Sequence, residues 1–109
     1  MPLESQLLAS IGLRLKRLAL ADPRLVWRKR HGSAMTTAGD PDITGLWRGL
    51  HFEMELKVPG AKPTSLQCSR LAAWNRAGAM CFVIHSLAEF NVAIDTIRRA
   101  ALAKMVEYD

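Results

Sequence analysis

The stretch Asp42-Ile43-Thr44-Gly45-Leu46-Trp47-Arg48-Gly49-Leu50-His51-Phe52-Glu53-Met54-Glu55-Leu56-Lys57-Val58 decides the fold. Asp42 to Trp47 and Leu50 to Val58 read as two strands joined by the turn pair Arg48-Gly49, which is a hairpin signal. If that pair forms a two-residue turn, Trp47 faces Leu50 and the pairing runs back until Asp42 lies opposite Glu55. Ile43, Trp47, Leu50, Phe52, Met54 and Leu56 then share one apolar face. Asp42, Thr44, Glu53, Glu55 and Lys57 share the other. A slip of one residue would scramble this partition, so the partition supports the register.

Working outward, Leu3 to Leu20 reads as an amphipathic helix with Leu3, Leu7, Leu8, Ile11, Leu15 and Leu18 at helical spacing, ended by Asp22-Pro23. Leu25 to Arg30 reads as a short strand, and the Gly-, Ser- and Thr-rich stretch from Gly32 to Gly39 as a mobile loop. Beyond the hairpin, Pro59-Gly60 stops the strand and Pro63-Thr64 opens a helix that runs to about Ala77, with Gly78 at its end. Met80 to His85 is a buried-strand candidate. Ser86 and Glu89 form a capping signature for a last helix that carries Phe90, Ile94, Ile97, Ala101 and Met105 on one face. The order α-β-β-β-α-β-α predicts an α/β sandwich whose mixed sheet is flanked by helices.

The 109 residues have room for one domain, spanning positions 1–109, and half of them are hydrophobic. A chain this small gains from pairing with a second copy. The longest apolar run, Ala77 to Ile84, is interrupted by Gly78 and too short to span a bilayer. Glu4 and Gln6 break any signal-peptide core, so a soluble cytoplasmic protein without a membrane partner is expected. Cys68 and Cys81 have no metal-ligand spacing and read as free thiols of a reducing compartment. The net charge of +5 favours polyanions. Three basic clusters contribute to it: Arg14, Lys16 and Arg17; Arg28, Lys29 and Arg30; Arg98 and Arg99.

Two like charges facing each other across a strand pair are destabilising. Mg²⁺ or Mn²⁺ would offset the repulsion between Asp42 and Glu55, since these hard cations take one or two carboxylates plus water and substrate phosphate. Lys57, two residues on and on the same face, can reach a bound phosphate or an attacking water. This is chemistry for phosphoester hydrolysis. The alternative is a solvated strand face on which Lys57 pairs Glu55.

Glu4 falls on the helical wheel between Ile11 and Leu15, where a carboxylate must be paired, protonated or metal-bound, unless it belongs to a fraying first turn that favours acids. Gln67 fits a T-x-x-Q capping box from Thr64, yet shares a helix face with Leu71 and Trp74, where its amide could orient a water. His31, His51 and His85 are scattered, and no Ser or Cys stands at the spacing a histidine base would need.

Gly39-Asp40-Pro41-Asp42, followed after the hairpin by Glu55-Leu56-Lys57, resembles the PD-(D/E)XK nuclease signature. Lys62-Pro63-Thr64-Ser65-Leu66-Gln67, then Ala77-Gly78 and Cys81-Phe82-Val83-Ile84, resemble the VRR-NUC branch of that superfamily, as does the start Glu4-Ser5-Gln6. The resemblance covers nearly the whole chain. It implies a restriction-endonuclease-like core, dependence on Mg²⁺ or Mn²⁺, and cleavage of DNA. Compact bacterial or phage members are similar to Holliday-junction resolvases and tend to be homodimers. Carried over by position, Glu4, Asp42 and Glu55 would be metal ligands, Lys57 would stabilise the transition state or position water, and Gln67 would support the site. The chain departs from the family at Glu53, where an apolar residue is more usual, and over 31–38, to which the resemblance assigns no role.

The expectation is therefore a divalent-metal-dependent endodeoxyribonuclease acting on branched or junction DNA, with Arg28, Arg30, Lys62 and Arg70 gripping the backbone. Two rivals stand beside it. One is a non-catalytic basic nucleic-acid-binding module, the other an interaction protein with no nucleic-acid partner.

Overall fold

A computed structural model describes residues 3–30 and 37–108. Its elements are α1 (Leu3–Ala21), β1 (Leu25–Lys29), β2 (Ile43–Trp47), β3 (Leu50–Leu56), α2 (Ser65–Arg76), β4 (Met80–Ile84) and α3 (Leu87–Tyr108). The four strands form one sheet in the order β1-β2-β3-β4. The first three make an antiparallel meander, and β4 adds parallel to β3 after the α2 crossover. This is the expected α/β sandwich with a mixed sheet. His31 and most of the expected mobile loop lie outside the described residues, as does the side chain of Met105.

The hairpin turns where the sequence predicts. Arg48 and Gly49 both take positive φ, 52° and 85°, the backbone of a two-residue turn whose twist suits antiparallel strands. Non-glycine residues adopt this region at a cost. At Arg48 that conformation is accompanied by contacts with the end of α1: Arg48 Nε donates to Asp22 Oδ2 at 3.1 Å, and Trp47 Nε1 donates to the same oxygen at 3.0 Å. Trp47 pairs with Leu50, Gly45 with Phe52 and Ile43 with Met54. Gly45 is required by close packing, because a Cβ there would sit 2.1 Å from Phe52 Cζ.

The apolar face of the hairpin carries the core. Ile43, Trp47, Phe52, Met54 and Leu56 are buried against Ile11 and Leu15 of α1 and Phe90, Ala93, Ile94 and Ile97 of α3. Helix α2 lies over the opposite face, where Trp74 meets His51 and Arg30. Helices thus cover both faces of the sheet. Among the described residues no helix is long and apolar enough to cross a membrane. Cys68 and Cys81 are free thiols.

Candidate active site

The ladder between β2 and β3 ends at Ile43 and Met54. Continued by one residue, its register sets Asp42 opposite Glu55. Pro41 precedes Asp42 and has no N–H to offer the next rung. The Leu56 amide instead donates to Asp42 Oδ2 at 2.8 Å. This bond fixes the Asp42 carboxylate beside β3.

Glu55 is the most unusual group in the chain. Its residue is 1% exposed, and its Oε1 is buried without a hydrogen-bond partner among the described residues. Burial pushes its proton affinity up to about 8. The charge of Asp42 and a hydrogen bond with it add to the rise, Glu4 adds a smaller push, and Lys57 opposes it. Lys57 Nζ stands 3.9 Å from Glu55 Oε2. A buried carboxyl with an unsatisfied oxygen beside a second carboxylate costs free energy unless a cation offsets it. Of the solvated-face alternative, the Lys57–Glu55 pairing is present but the solvation is not, because Glu53 and Glu55 are both buried.

The remaining candidates are placed unequally. Glu4 sits half-buried in the first turn of α1, near enough for its charge to act on Glu55. Among the described residues no three His, Cys, Asp or Glu side chains gather as a ready-made metal cage. Asp42 and Glu55 are the two acids that the structure sets side by side here. Gln67 completes the capping box of α2: its Oε1 accepts from Thr64 N at 2.9 Å, and its own N–H donates to Thr64 Oγ1 at 3.2 Å. That bond occupies the amide oxygen and leaves the NH₂ as a donor.

Arg28 and Lys62 are exposed. Arg70 is half-buried and donates from Nε to the Ala38 carbonyl at 3.1 Å. Arg30 differs from the expectation of a backbone-gripping side chain. Its guanidinium turns inward to Glu53 and to the Pro41 carbonyl. The reason is electrostatic, since Glu53 is fully buried and its charge needs a partner there.

Sequence reasoning missed this Glu53 cluster. Thr44 Oγ1 donates to Glu53 Oε2 at 2.5 Å, and His51 Nε2 contacts the same oxygen. The signal available was the departure at Glu53 itself, together with its face-sharing neighbours Thr44 and His51. His85 is likewise satisfied structurally. It meets Glu89 Oε1 through Nδ1 at 2.9 Å and the Ala61 carbonyl through Nε2 at 3.0 Å.

No protein-family profile matches the chain, and no curated protein does. A solved structure described as a "VRR_NUC domain" superposes on it with a TM-score of 0.68 and 24% sequence identity. The match covers 84% of this chain and 94% of that one. A likeness at this identity speaks to architecture. The fold of this chain is that of a VRR_NUC domain.

Proposed function

We propose that the chain is a divalent-metal-dependent endonuclease that hydrolyses DNA phosphodiester bonds at Asp42, Glu55 and Lys57. The observation that carries this reading is the buried, unsatisfied Oε1 of Glu55 beside the Asp42 carboxylate. The donor chemistry fits Mg²⁺ or Mn²⁺, with Asp42 and Glu55 as ligands. Glu4, expected as a third, does not gather with them into a three-carboxylate set, so water and phosphate oxygens would fill the remaining positions. Such an ion supplies a water of lowered pKa and stabilises charge on the phosphoryl oxygens.

The chain's own residues do the rest. Glu55, whose surroundings favour the neutral form, would pass its proton to solvent in order to hold the ion. Lys57, held beside Glu55, presents its ammonium to a phosphate oxygen or to the attacking water. The NH₂ of Gln67 can donate to a phosphate oxygen at the entrance to α2. Arg28 and Lys62, both exposed, supply charge along the DNA backbone.

Branched DNA fits a homodimer, which would present two such sites to two strands. The edge strand β4 and helix α3 offer apolar ground for a second copy. Phe82 and Val83 are half-buried there, Val92 is exposed, and a depression of about 370 Å³ lies among them. Light scattering tests the dimer, and a monomeric mass at micromolar concentration would remove it.

The decisive assay incubates the protein with flap, junction and linear DNA in Mn²⁺ or in EDTA. Cleavage that disappears in EDTA and in Lys57→Ala supports the enzyme. Retention of DNA without cutting would show a binding module instead, and no retention would leave an interaction protein.

A further inference from the structure

We propose that Glu53 and Arg30 form a positioning pair that holds the segment Asp40-Pro41-Asp42, and so the Asp42 carboxylate, in its place beside Glu55. What Asp42 is positioned for rests on the nuclease reading; that it is positioned does not.

Pro41 gives this segment a weakness. A proline cannot donate to a ladder, so the chain entering β2 loses a rung just where Asp42 must be held. Arg30 supplies what the ladder lacks, through its side chain at Pro41 and its backbone at Asp42. Its Nη1 donates to the Pro41 carbonyl at 2.9 Å, and its backbone N–H donates to the Asp42 carbonyl at 2.9 Å. The guanidinium also lies 5.0 Å from the centre of the Trp74 ring, and Trp74 Nε1 donates to Asp40 Oδ1 at 3.2 Å. Three consecutive residues are thus tied to Arg30, directly or through one ring.

Arg30 in turn is aimed by Glu53. Both terminal nitrogens of the guanidinium reach the Glu53 carboxylate, one to each oxygen. This two-pronged geometry fixes the plane of the guanidinium as well as its place. Thr44 and His51 fill the remaining acceptor positions of Glu53 Oε2. The His51 ring stands 5.1 Å from the Trp74 ring, which closes the circuit.

Stability alone is a poor reason for such a cluster. A buried ion pair is often matched or bettered by well-packed apolar side chains, and an apolar residue at position 53 would need no partner. The cluster instead connects a fixed point on β3 to the Pro41 carbonyl, in the peptide bond that leads into Asp42. The anchored carboxylate is the one that receives the Leu56 amide.

That amide is the reporter. In the metal-free protein, hydrogen exchange followed by NMR compares Leu56, whose N–H donates to Asp42, with Lys57, whose N–H donates to the Ile84 carbonyl at 3.0 Å. Glu53→Gln keeps the shape and removes the charge. The expected result is exchange at Leu56 faster by about tenfold, with Lys57 unchanged. Mn²⁺ affinity, measured by calorimetry, should fall by about tenfold to a hundredfold. In cleavage, kcat should fall while KM for DNA holds. Arg30→Lys, which cannot make the two-pronged contact, should share these effects in part.

Equal acceleration at Leu56 and Lys57 would overturn the proposal and leave Glu53 a general structural residue. So would unchanged exchange at Leu56. If Glu53→Gln does not fold, the double variant Glu53→Met, Arg30→Leu leaves no charge unpaired and carries the same comparison. A wild-type protein that neither binds Mn²⁺ nor cuts DNA would remove the nuclease reading, while the exchange at Leu56 would still decide the positioning.

Discussion

Glu55 stands apart at the scale of a single residue because its surroundings favour the neutral form. Its folded-state proton affinity, near 8, stands above the ordinary 4.5 of an unfolded glutamate. The group's contribution to stability is therefore complete below about 4.5 and is lost as pH rises through about 8. Thermal melts of the metal-free chain should show this decline across that window, and added Mn²⁺ should reverse it. Below pH 8 metal uptake should release a proton, which calorimetry in buffers of different ionisation enthalpy would count. Glu55→Gln should abolish cleavage, yet raise the stability of the metal-free chain at pH 9 by about 1 kcal/mol, since it removes a poorly solvated charge. A loss of stability in that variant would mean that Glu55 is satisfied in some other way. The meeting of Asp42, Glu55 and Lys57 on one face was legible in the sequence because strand register is a local property, set by one turn and one alternation. The burial of Glu53 was not, because no local pattern says that α2 will cover that part of the polar face. The inward turn of Arg30 follows from the same burial and was hidden with it.

Secondary elements are held together here by a few exacting contacts. Gly45 lies under the ring of Phe52, so Gly45→Ala forces an aromatic side chain out of the centre of the core. A cost of about 1–3 kcal/mol is expected from overpacking of this kind, read as a lower denaturant midpoint. The capping box of α2 is a second such contact. Thr64→Ala removes the acceptor for the Gln67 amide and should cost about 1 kcal/mol. The Gln67 side chain keeps its bond from the Thr64 backbone N–H in this variant, so cleavage should fall no further than the loss of stability explains. Asp22 is the third. It accepts from Trp47, from the backbone and side chain of Arg24, and from Arg48, and these bonds hold its carboxyl far below the usual range, that of Trp47 foremost. Its contribution is present above about 3.8 and is lost as pH falls toward its depressed folded value. The sequence marked Asp22-Pro23 only as the end of α1. The carboxylate's second task, gripping a turn 26 residues away, is a tertiary contact that spacing does not disclose.

For the whole molecule, the element order and the mixed sheet were readable because each element carries its own periodicity and its own punctuation. Alternation marks the hairpin, helical spacing marks α1 and α3, and Pro59-Gly60 and Gly78 bound the α2 crossover. The net charge of +5 belongs to this scale as well. DNA affinity in EDTA should fall steeply with added salt, and a flat response would separate the charge from any contact with phosphate. The Arg48–Gly49 turn has a kinetic consequence. The hairpin β2-β3 needs only that two-residue turn to close, whereas β4 must wait for a helix to cross the sheet. Gly49→Ala, which burdens a backbone at φ 85°, should therefore slow refolding, while Thr64→Ala should mainly quicken unfolding. The chain would then bring its two facing acids together early, before β4 adds to the sheet, and a divalent ion supplied during refolding should quicken the rate-limiting step.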